Sequence, residues 1–441
     1  MYRIKCPEIF RQLPTSWGLN LIKTLFLIGM LLIAVQGYSL EEGRFPRPEF
    51  STGYKIPSPT QPLEAFERNP YIATGLLAIF LGLTGHSLFV ARSRTRLRIL
   101  GLFSLVWFGF VYKGCICPVG SIQNIFLGMV DCSWPVSPHV VGAFFLPLIA
   151  ALFFGRLFCG AACPFGVVQD LLAWKPVKVN STLDRCLRIV PFVYLGLAVF
   201  FATCDLGFII CRYDPFIPFF RLSGSFSVVV FGAFLLILSV FIARPFCRYL
   251  CPYSVLLAAC SLLTSRKVKV CSDRCVNCQL CRGACPVDAI IPGVNTISPD
   301  AFPEPREKAI SRLKWLLALS PVLIAIGFYS GLRISEPVSR FHPQISVYNK
   351  ITAHLVQDDD VVAFLINDGN LDLLRKSSLE AMSKIKHAGG IFGIYMSLVF
   401  IGAVFAATRR KSNTLHTVEP WNCVSCGRCY EWCPRNRVKV S

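Results

Sequence analysis

Long apolar stretches separated by short polar segments dominate the sequence. Eight of these stretches approach the roughly 20 residues that a helix needs to cross a bilayer. The pattern predicts an all-α polytopic membrane protein with about eight transmembrane helices. The predicted spans are 17–38, 71–91, 97–113, 139–155, 191–211, 225–243, 315–332 and 389–407.

The composition agrees with a membrane protein. The chain of 441 residues is 54% hydrophobic and 16% charged, whereas a soluble protein is about 25% charged. The basic lead before the first span (Arg3, Lys5 and Arg11) resembles a signal peptide, but no small-residue cleavage site follows Tyr38. We therefore expect the first span to remain as an anchor.

The positive charge follows the predicted topology. With the N-terminus inside, the inner segments carry 30 Lys and Arg residues and the outer segments carry 14, as the positive-inside rule requires. Both termini are therefore predicted to be cytoplasmic, in the cell inner membrane. This orientation, with an affinity for anionic headgroups, explains the net charge of +20 without nucleic-acid binding. The inner segments are 1–16, 92–98, 156–190, 244–314 and 408–441.

An internal repeat lies at the inner ends of two predicted spans. Residues 155–165 (GRLFCGAACPF) align without gaps on residues 243–253 (ARPFCRYLCPY), and each copy contains a CxxxCP motif. A degenerate third copy begins at Cys115-Ile-Cys117-Pro118. A short apolar run follows each copy, and each is too short to span, so we predict interfacial or re-entrant helices there. These runs are 121–130, 165–174 and 253–263.

Two cysteine runs carry the strongest chemical signal. Residues 275–286 (CVNCQLCRGACP) and 423–434 (CVSCGRCYEWCP) have the CxxCxxCxxxCP spacing of bacterial ferredoxins. In that pattern three thiolates of one run hold one cubane, and the fourth reaches across to the other cubane. The spacing predicts two [4Fe-4S] clusters, because a zinc site needs neither a third cysteine nor a Cys-Pro ending. The first ligand set is Cys275, Cys278, Cys281 and Cys433, and the second is Cys423, Cys426, Cys429 and Cys285.

The two ferredoxin runs are far apart in the sequence, yet the predicted topology brings them to one face. Spans 315–332 and 389–407 leave and re-enter the cytoplasm between the runs. We therefore predict a split bacterial-type ferredoxin domain on the cytoplasmic side.

The two CxxxCP copies supply four further cysteines at the inner ends of spans. Residues four apart share a helix face, so a pseudo-twofold arrangement would bring these thiolates together as a third redox centre. Buried structural cysteines, or a redox-active thiol quartet without a metal, are alternatives that spacing does not separate. The four are Cys159, Cys163, Cys247 and Cys251.

Five more cysteines fall in or near the predicted outer ends of spans. Because the hydrocarbon core is about 30 Å thick, electrons that cross it need an intermediate centre or a diffusing quinone. These cysteines are candidates for an outer metal or redox centre, and a disulfide such as Cys204 with Cys211 is the alternative. The five are Cys115, Cys117, Cys132, Cys204 and Cys211.

Few other polar residues suggest chemistry. His86 is the only histidine well inside a predicted span, so no haem is expected. Arg156 and Arg244 precede the CxxxCP cysteines and could tune a cluster or hold a span at the interface. We expect them to snorkel to the membrane surface. Asp205 and Asp214, near the outer end of the fifth span, are candidates for deprotonating a quinol.

These features divide the chain into five parts. Residues 333–388 form the outer module of the fourth part, with an amphipathic run from Leu371 to Ile385, and are a candidate docking surface. The parts are an N-terminal two-span segment (1–94), a membrane core with three Cys-Pro repeats (95–265), the first ferredoxin half (266–312), a two-span hairpin (313–408) and the second ferredoxin half (409–441).

The CxxxCP pairs at span ends, the ferredoxin runs and residues 211–216 (CRYDPF) together resemble the NapH/NosR-type family of membrane polyferredoxins. The resemblance covers about residues 95–290 and the C-terminal twenty. It implies quinol-linked electron donation to exported reductases, or a role in metalloenzyme assembly. The chain departs from the NosR pattern because the first outer loop, about 39–70, is too small for a flavin-binding domain. No covalent flavin is predicted.

The sequence thus predicts a membrane-bound iron-sulfur electron-transfer protein. Electrons would pass between the quinone pool or a cytoplasmic donor and a respiratory or exported redox partner. Because no substrate-activating constellation occurs, we expect a subunit or accessory protein rather than a stand-alone enzyme. The alternatives are an accessory factor for maturation or metal reduction of another metalloenzyme, and a redox sensor.

Overall fold

The computed structural model shows a mostly helical protein and describes most of the chain from residue 69 onward. The predicted first span (17–38) and Cys115 lie outside the described residues. These are 69–114, 117–174, 177, 179–221, 225–264, 266–269, 275–276, 278–291, 306–353, 358–366, 370–408 and 416–434.

The first part of the fold is a bundle of short and medium helices. Two of them continue as π-helix: α1 (Pro70–Gly85) through His86–Val90, and α2 (Arg94–Ser104) through Leu105–Val111. A further π-helix, Phe158–Ala162, follows α4. The other helices are α3 (Pro118–Val130), α4 (Pro138–Phe154), α5 (Pro164–Leu172), α6 (Ser181–Leu187), α7 (Val190–Thr203), α8 (Ile209–Tyr213), α9 (Phe216–Arg221), α10 (Phe226–Phe241), α11 (Pro245–Tyr249) and α12 (Pro252–Leu262).

Three helices of this bundle begin at a Cys-Pro pair. Cys117, Cys163 and Cys251 are the N-caps of α3, α5 and α12. Proline is well suited to the first helical turn, where its missing N–H loses no intrahelical hydrogen bond. The three predicted short runs are therefore helical. Their re-entrant position in a membrane stays a prediction.

The core of the bundle lies where α3, α4, α7 and α12 pack together. Ile122 and Leu257 are fully buried there, and the Tyr253 hydroxyl donates to the Phe144 carbonyl at 2.6 Å. The Cys-Pro helices thus form the centre of the bundle and not its rim.

Two long helices form the second part of the fold. α14 (Arg306–Ser339) and α17 (Leu371–Thr408) pack closely along glycines, and a Cβ added at Gly331 would clash with the Gly389 carbonyl oxygen. Such small-residue stripes let apolar helices approach each other closely. The predicted amphipathic run Leu371–Ile385 and span 389–407 are one continuous helix. α15 (Pro343–Thr352) and α16 (Asp359–Ile366) lie between α14 and α17 in the chain.

Four described helices are long and apolar enough to cross a membrane, and they match four of the eight predicted spans. They are Pro70–Val90, Thr182–Thr203, Ser311–Ser339 and Leu371–Ala406. The predicted spans 139–155 and 225–243 correspond to the shorter apolar helices α4 and α10. The predicted span 97–113 corresponds to α2 with its π-helical continuation.

The ferredoxin runs fold around a small antiparallel strand pair. β1 (Ile290–Ile291) pairs with β2 (Thr417–Val418), with Ile290 opposite Val418. The short helices α13 (Leu280–Ala284) and α18 (Arg428–Trp432) pack against each other. The two distant halves therefore meet, as the split ferredoxin requires.

Candidate iron-sulfur centre

The two ferredoxin runs form equivalent half-sites. In each run the residue after the second cysteine, Gln279 or Gly427, has a left-handed backbone conformation and starts a five-residue helix. Cys285 and Cys433 follow these helices with extended backbones. The same local geometry therefore presents both sets of thiols, as in a pseudo-twofold ferredoxin.

The thiols of the first predicted ligand set are neighbours. Burial raises the pKa of the Cys281 thiol, and the nearby thiols of Cys275, Cys278 and Cys433 raise it further. Cys433 comes from the other run and lies near Cys281, while the crossed ligand assignment stays a prediction. A cluster that binds thiolates would stabilise the deprotonated form of these residues.

The second predicted ligand set is arranged in the same way. Burial raises the pKa of the Cys429 thiol, and so do the neighbouring Cys426, Cys423 and Cys285 thiols. The Cys285 sulfur also accepts a hydrogen bond from the Ala289 N–H at 3.3 Å, an interaction that tunes iron-sulfur clusters.

The donors of both predicted sets are cysteine thiols, which are the ligands that hold iron-sulfur clusters. Among the described residues, no three His, Cys, Asp or Glu side chains are arranged to hold one metal ion. A cubane distributes its four ligands over several irons and does not need such a tight group. The donor set therefore fits [4Fe-4S], whereas the assignment of each ligand stays a prediction.

The second ferredoxin run docks on the helical bundle. Arg156 Nη1 donates to the Trp421 carbonyl at 3.0 Å, and the Trp421 ring stacks on Phe192 with centroids 5.8 Å apart. A Cβ added at Gly160 would lie 2.8 Å from the Ser425 carbonyl oxygen. The first CxxxCP copy and the second ferredoxin run are therefore in direct backbone contact.

Asp170, at the end of α5, links the ferredoxin to the helical bundle through three arginines. Its carboxylate lies 2.8 Å from Arg428 Nη2, 3.8 Å from Arg244 Nε and 3.8 Å from Arg94 Nη2. Arg428 belongs to the ferredoxin, whereas Arg94 and Arg244 belong to the bundle. The sequence analysis missed this ion network. The two arginines of α2 and α18 gave no signal that they would meet.

Arg156 and Arg244 do not snorkel, so that expectation is wrong. Their exposures are 6% and 1%. Arg156 Nη2 lies 3.9 Å from Cys159 Sγ, and Arg244 Nη1 donates to the Cys159 carbonyl. Both guanidinium groups find partners within the protein, because the docked ferredoxin covers the surface that they would otherwise reach.

The four CxxxCP cysteines come together inside the bundle. Cys159 and Cys247 are buried, and Cys163 and Cys251 pack against them. Each of the four lies within electrostatic reach of the other three. The four thiols are therefore neighbours, while a third redox centre at this place stays a prediction.

A buried glutamine at the same position of two repeat copies organises their partners. Gln169 accepts a hydrogen bond from the Phe246 N–H at 3.0 Å, and its Nε2 lies 3.6 Å from Cys247 Sγ. Gln123 accepts from the Ile210 N–H at 2.9 Å in the same manner. The sequence alignment of the copies contained this signal, but the role of the amides was missed.

The structure separates the outer cysteine candidates. Cys117 packs beside the CxxxCP cysteines, and an added Cβ on Gly120 would lie 3.3 Å from Cys211 Sγ. Cys204 packs in a separate group of buried hydrophobic side chains, and Cys132, after α3, is exposed. Since Cys204 and Cys211 are both free, the disulfide between them is absent.

An apolar cavity of about 360 Å³ opens beside the CxxxCP cysteines, between α7 and α10. Tyr194 and Asp214 are polar groups in its lining. Asp214 is 3% exposed, and its Oδ1 accepts from the Phe216 N–H at 3.0 Å. Asp205 lies elsewhere, 3.3 Å from Lys384 Nζ. Of the two aspartates proposed from sequence for quinol chemistry, Asp214 lines this cavity and Asp205 does not.

Comparison with protein families defines the class. A model described as a 4Fe-4S binding domain matches residues 136–180 and 225–271, which contain both CxxxCP copies. A second 4Fe-4S binding domain model matches residues 272–291, which contain the first ferredoxin run. The chain therefore carries 4Fe-4S ferredoxin-type domains, and iron-sulfur electron transfer is the activity class that these domains support.

Two curated relatives are similar to part of the chain. The chain is 32% identical over 114 residues to "Putative electron transport protein YccM" of Escherichia coli K12, covering 24% of this chain and 32% of that protein. It is 31% identical over 101 residues to "Uncharacterized protein MJ0750" of Methanocaldococcus jannaschii, covering 23% of this chain and 38% of that protein. The chain spans about a third of the length of these relatives. No solved structure matches the chain.

Proposed function

We propose that this chain is a membrane-bound protein that passes electrons between the quinone pool and a redox partner through two [4Fe-4S] clusters. One observation carries the proposal. The ferredoxin, the CxxxCP thiols and the apolar cavity follow one another through the bundle, because Arg156 contacts both Trp421 and Cys159 and Phe246, next to Cys247, lines the cavity.

Each ferredoxin half supplies three ligands to one cluster and one to the other. Cys433 crosses to the first set, and Cys285 crosses to the second. A bound [4Fe-4S] cluster accepts and returns one electron at a time. The protein contributes the thiolates, the N–H donors to sulfur such as Ala289, and the docking contacts that fix the second set against the bundle.

The four CxxxCP cysteines are proposed as a third redox centre. Their burial next to the second ferredoxin run would shorten the step from the ferredoxin to the cavity. The matching 4Fe-4S domain model, which covers both copies, supports this reading. A Cys159→Ser, Cys251→Ser double variant should lose iron while both ferredoxin signals persist. Unchanged iron would leave a thiol quartet without a metal.

The cavity is proposed as the quinone site. Its volume of about 360 Å³ lies within the range of about 300–1,000 Å³ typical of small-molecule sites, and its apolar walls suit a lipid-soluble ring. The Asp214 carboxylate would accept a proton from a quinol hydroxyl. Its Oδ1 is held by the Phe216 N–H, which keeps the carboxylate oriented.

The orientation is proposed from charge. The excess of Lys and Arg on the ferredoxin side supports a cytoplasmic position for that side. The segment between α14 and α17 would then lie on the outer face of the inner membrane. An exported redox partner would then approach that outer segment, as the NapH/NosR-type resemblance suggests.

The deciding experiment is a cofactor analysis of the protein purified without oxygen in detergent. We expect about eight irons per chain for two cubanes, or about twelve with the third centre. EPR of the dithionite-reduced protein should show two interacting [4Fe-4S] signals, and treatment with a quinol should reduce part of them. Bound zinc with fewer than about four irons would overturn the proposal.

A further inference from the structure

Four arginines surround the bundle side of the second ferredoxin run. We call them the arginine cage. Arg94, Arg244 and Arg428 contact Asp170, and Arg94 Nη1 also lies 3.4 Å from Glu431 Oε2, so two carboxylates face the four arginines. Arg156 contacts the backbone of the run through the Trp421 carbonyl. The cage is largely removed from solvent, with side-chain exposures of 9%, 1% and 13% for Arg94, Arg244 and Arg428.

The cage acts on one cluster set more than on the other. Arg94 and Arg244 lie within electrostatic reach of Cys426, and Arg156 lies within reach of Cys423. In the first set the strongest electrostatic neighbours of Cys281 are other thiols. Among the residues that the structure describes, the arginines of the bundle therefore act on cysteines of the second set, which faces the bundle.

Fixed positive charge favours the reduced state of an iron-sulfur cluster. Reduction adds one negative charge, and a nearby guanidinium in a poorly solvated site stabilises that charge more than bulk water screens it. Arginine suits this role because it stays protonated when buried.

We infer that the arginine cage raises the reduction potential of the cluster held by Cys285, Cys423, Cys426 and Cys429 above that of its partner. An electron that reaches the ferredoxin then rests on the cluster next to the CxxxCP thiols. The four arginines are positioning residues for electron transfer, and Asp170 limits the size of their effect. This inference rests on the proposed two-cluster function.

Two variants of opposite charge test the inference. Arg94→Gln removes one positive charge, so at fixed ambient potential the ratio of reduced to oxidised second cluster should fall about tenfold, or 59 mV for one electron. Asp170→Asn removes the negative charge and should raise that ratio. An EPR-monitored redox titration measures both clusters separately, and the first cluster should stay unchanged.

Matched controls lie at the other end of the molecule. Arg333→Gln removes an arginine that contacts Tyr329, and Asp358→Asn removes an aspartate that contacts Lys350. Neither should move either potential. Arg94→Lys keeps the charge and should restore the potential of the second cluster close to its original value.

The outcomes separate the two proposals. If the unmodified protein contains no clusters, the proposed function fails. If clusters are present but Arg94→Gln and Asp170→Asn shift the second potential in the same direction, or not at all, the cage has only a docking role. Should Arg94→Gln lose iron, Asp170→Asn provides the second test, because it changes the charge beside the same arginines. An unchanged or lower ratio of reduced to oxidised second cluster in that variant overturns the inference.

Discussion

Gly160 shows how one residue couples the two parts of the molecule. It lies in the first CxxxCP copy, against the Ser425 carbonyl of the second ferredoxin run. The equivalent position of the second copy is Arg248, which instead pairs with Asp184 at 2.7 Å. Only the first copy therefore lets the ferredoxin backbone approach it closely.

Gly160→Ala should weaken this docking. The added Cβ would meet a backbone oxygen at 2.8 Å, and a crowded contact of this kind typically costs about 1–3 kcal/mol. We expect faster proteolysis of the second ferredoxin run and reduced iron content. Gly283→Ala is the matched control because nothing lies within 4 Å of its added Cβ. Equal behaviour of the two variants would contradict the role of Gly160.

His342, just before α15, predicts a pH dependence. Burial lowers its pKa below the ordinary value of 6.5, and the charges of Asp205 and Lys384 act in opposite directions. The unfolded chain therefore binds a proton that the folded chain refuses. As the pH falls from 6.5 to the folded-state pKa of His342, the free energy of unfolding should decrease. Above pH 6.5 this histidine should no longer lower it.

The measurement is the unfolding midpoint in detergent between pH 5 and pH 8, for the unmodified chain and for His342→Gln. The substitution removes the titrating group, so the slope of stability with pH should become smaller in this range. An unchanged slope would show that other groups cause it.

The α14–α17 pair illustrates how an element is specified by small residues. Glycines on both helices face each other, and an added Cβ at Gly393 would clash with the Gly327 carbonyl. Close backbone approach replaces the hydrophobic driving force that is absent between helices in lipid. In the most apolar window of Ser311–Ser339 only 6% of the residues are buried, so this stripe is the main contact of α14.

Gly331→Leu should separate these helices. Its side chain would overlap the Gly389 backbone, and no rotamer avoids a backbone clash. We expect lower stability in detergent and loss of cross-linking between cysteines introduced at facing positions on the two helices. Gly402→Leu, on α17, is the control because its added Cβ meets nothing within 4 Å. Retained cross-linking in the Gly331 variant would refute the stripe.

Element positions were predictable wherever apolar length or proline fixed them. The apolar runs 121–130, 165–174 and 253–263 predicted the short helices α3, α5 and α12. These helices begin at the preceding Cys-Pro pairs, because proline belongs in a first helical turn. The join between Leu371–Ile385 and span 389–407 was not predictable from hydropathy. Polar residues such as Lys384 and His387 interrupt the apolar pattern without breaking the helix, since intrahelical bonds do not depend on side-chain polarity.

At the scale of the whole molecule, the long pair extends beyond any bilayer. α17 has 38 residues and is about 57 Å long at 1.5 Å per residue, against a hydrocarbon core of about 30 Å. A protease site inserted before α17, at Asn370, should therefore be cut in right-side-out vesicles. A tag at the C-terminus should be cut only in inverted vesicles. Cleavage of both from one side would contradict the proposed topology.

The ferredoxin-type domain was predictable from the cysteine spacing, whereas its docking on the bundle was not. The individual ligand sets stay a prediction. Contacts such as Arg428 with Asp170 and Trp421 with Phe192 join residues more than two hundred positions apart. None of these four side chains lies in a local sequence pattern that identifies its partner. Likewise the cavity beside Asp214 depends on α7 and α10 diverging, which hydropathy does not encode.

The pairing of β1 with β2 sets the order in which the protein is completed. Ile290 is synthesised before α14 and α17, whereas Val418 is synthesised after them. A growing chain folds from its N-terminus, so the first half of the ferredoxin waits, unpaired, while the hairpin is inserted. The domain closes only after the second ferredoxin run has been synthesised. Each predicted ligand set takes thiols from both runs, so a chain that stalls before the second run contains no finished redox domain.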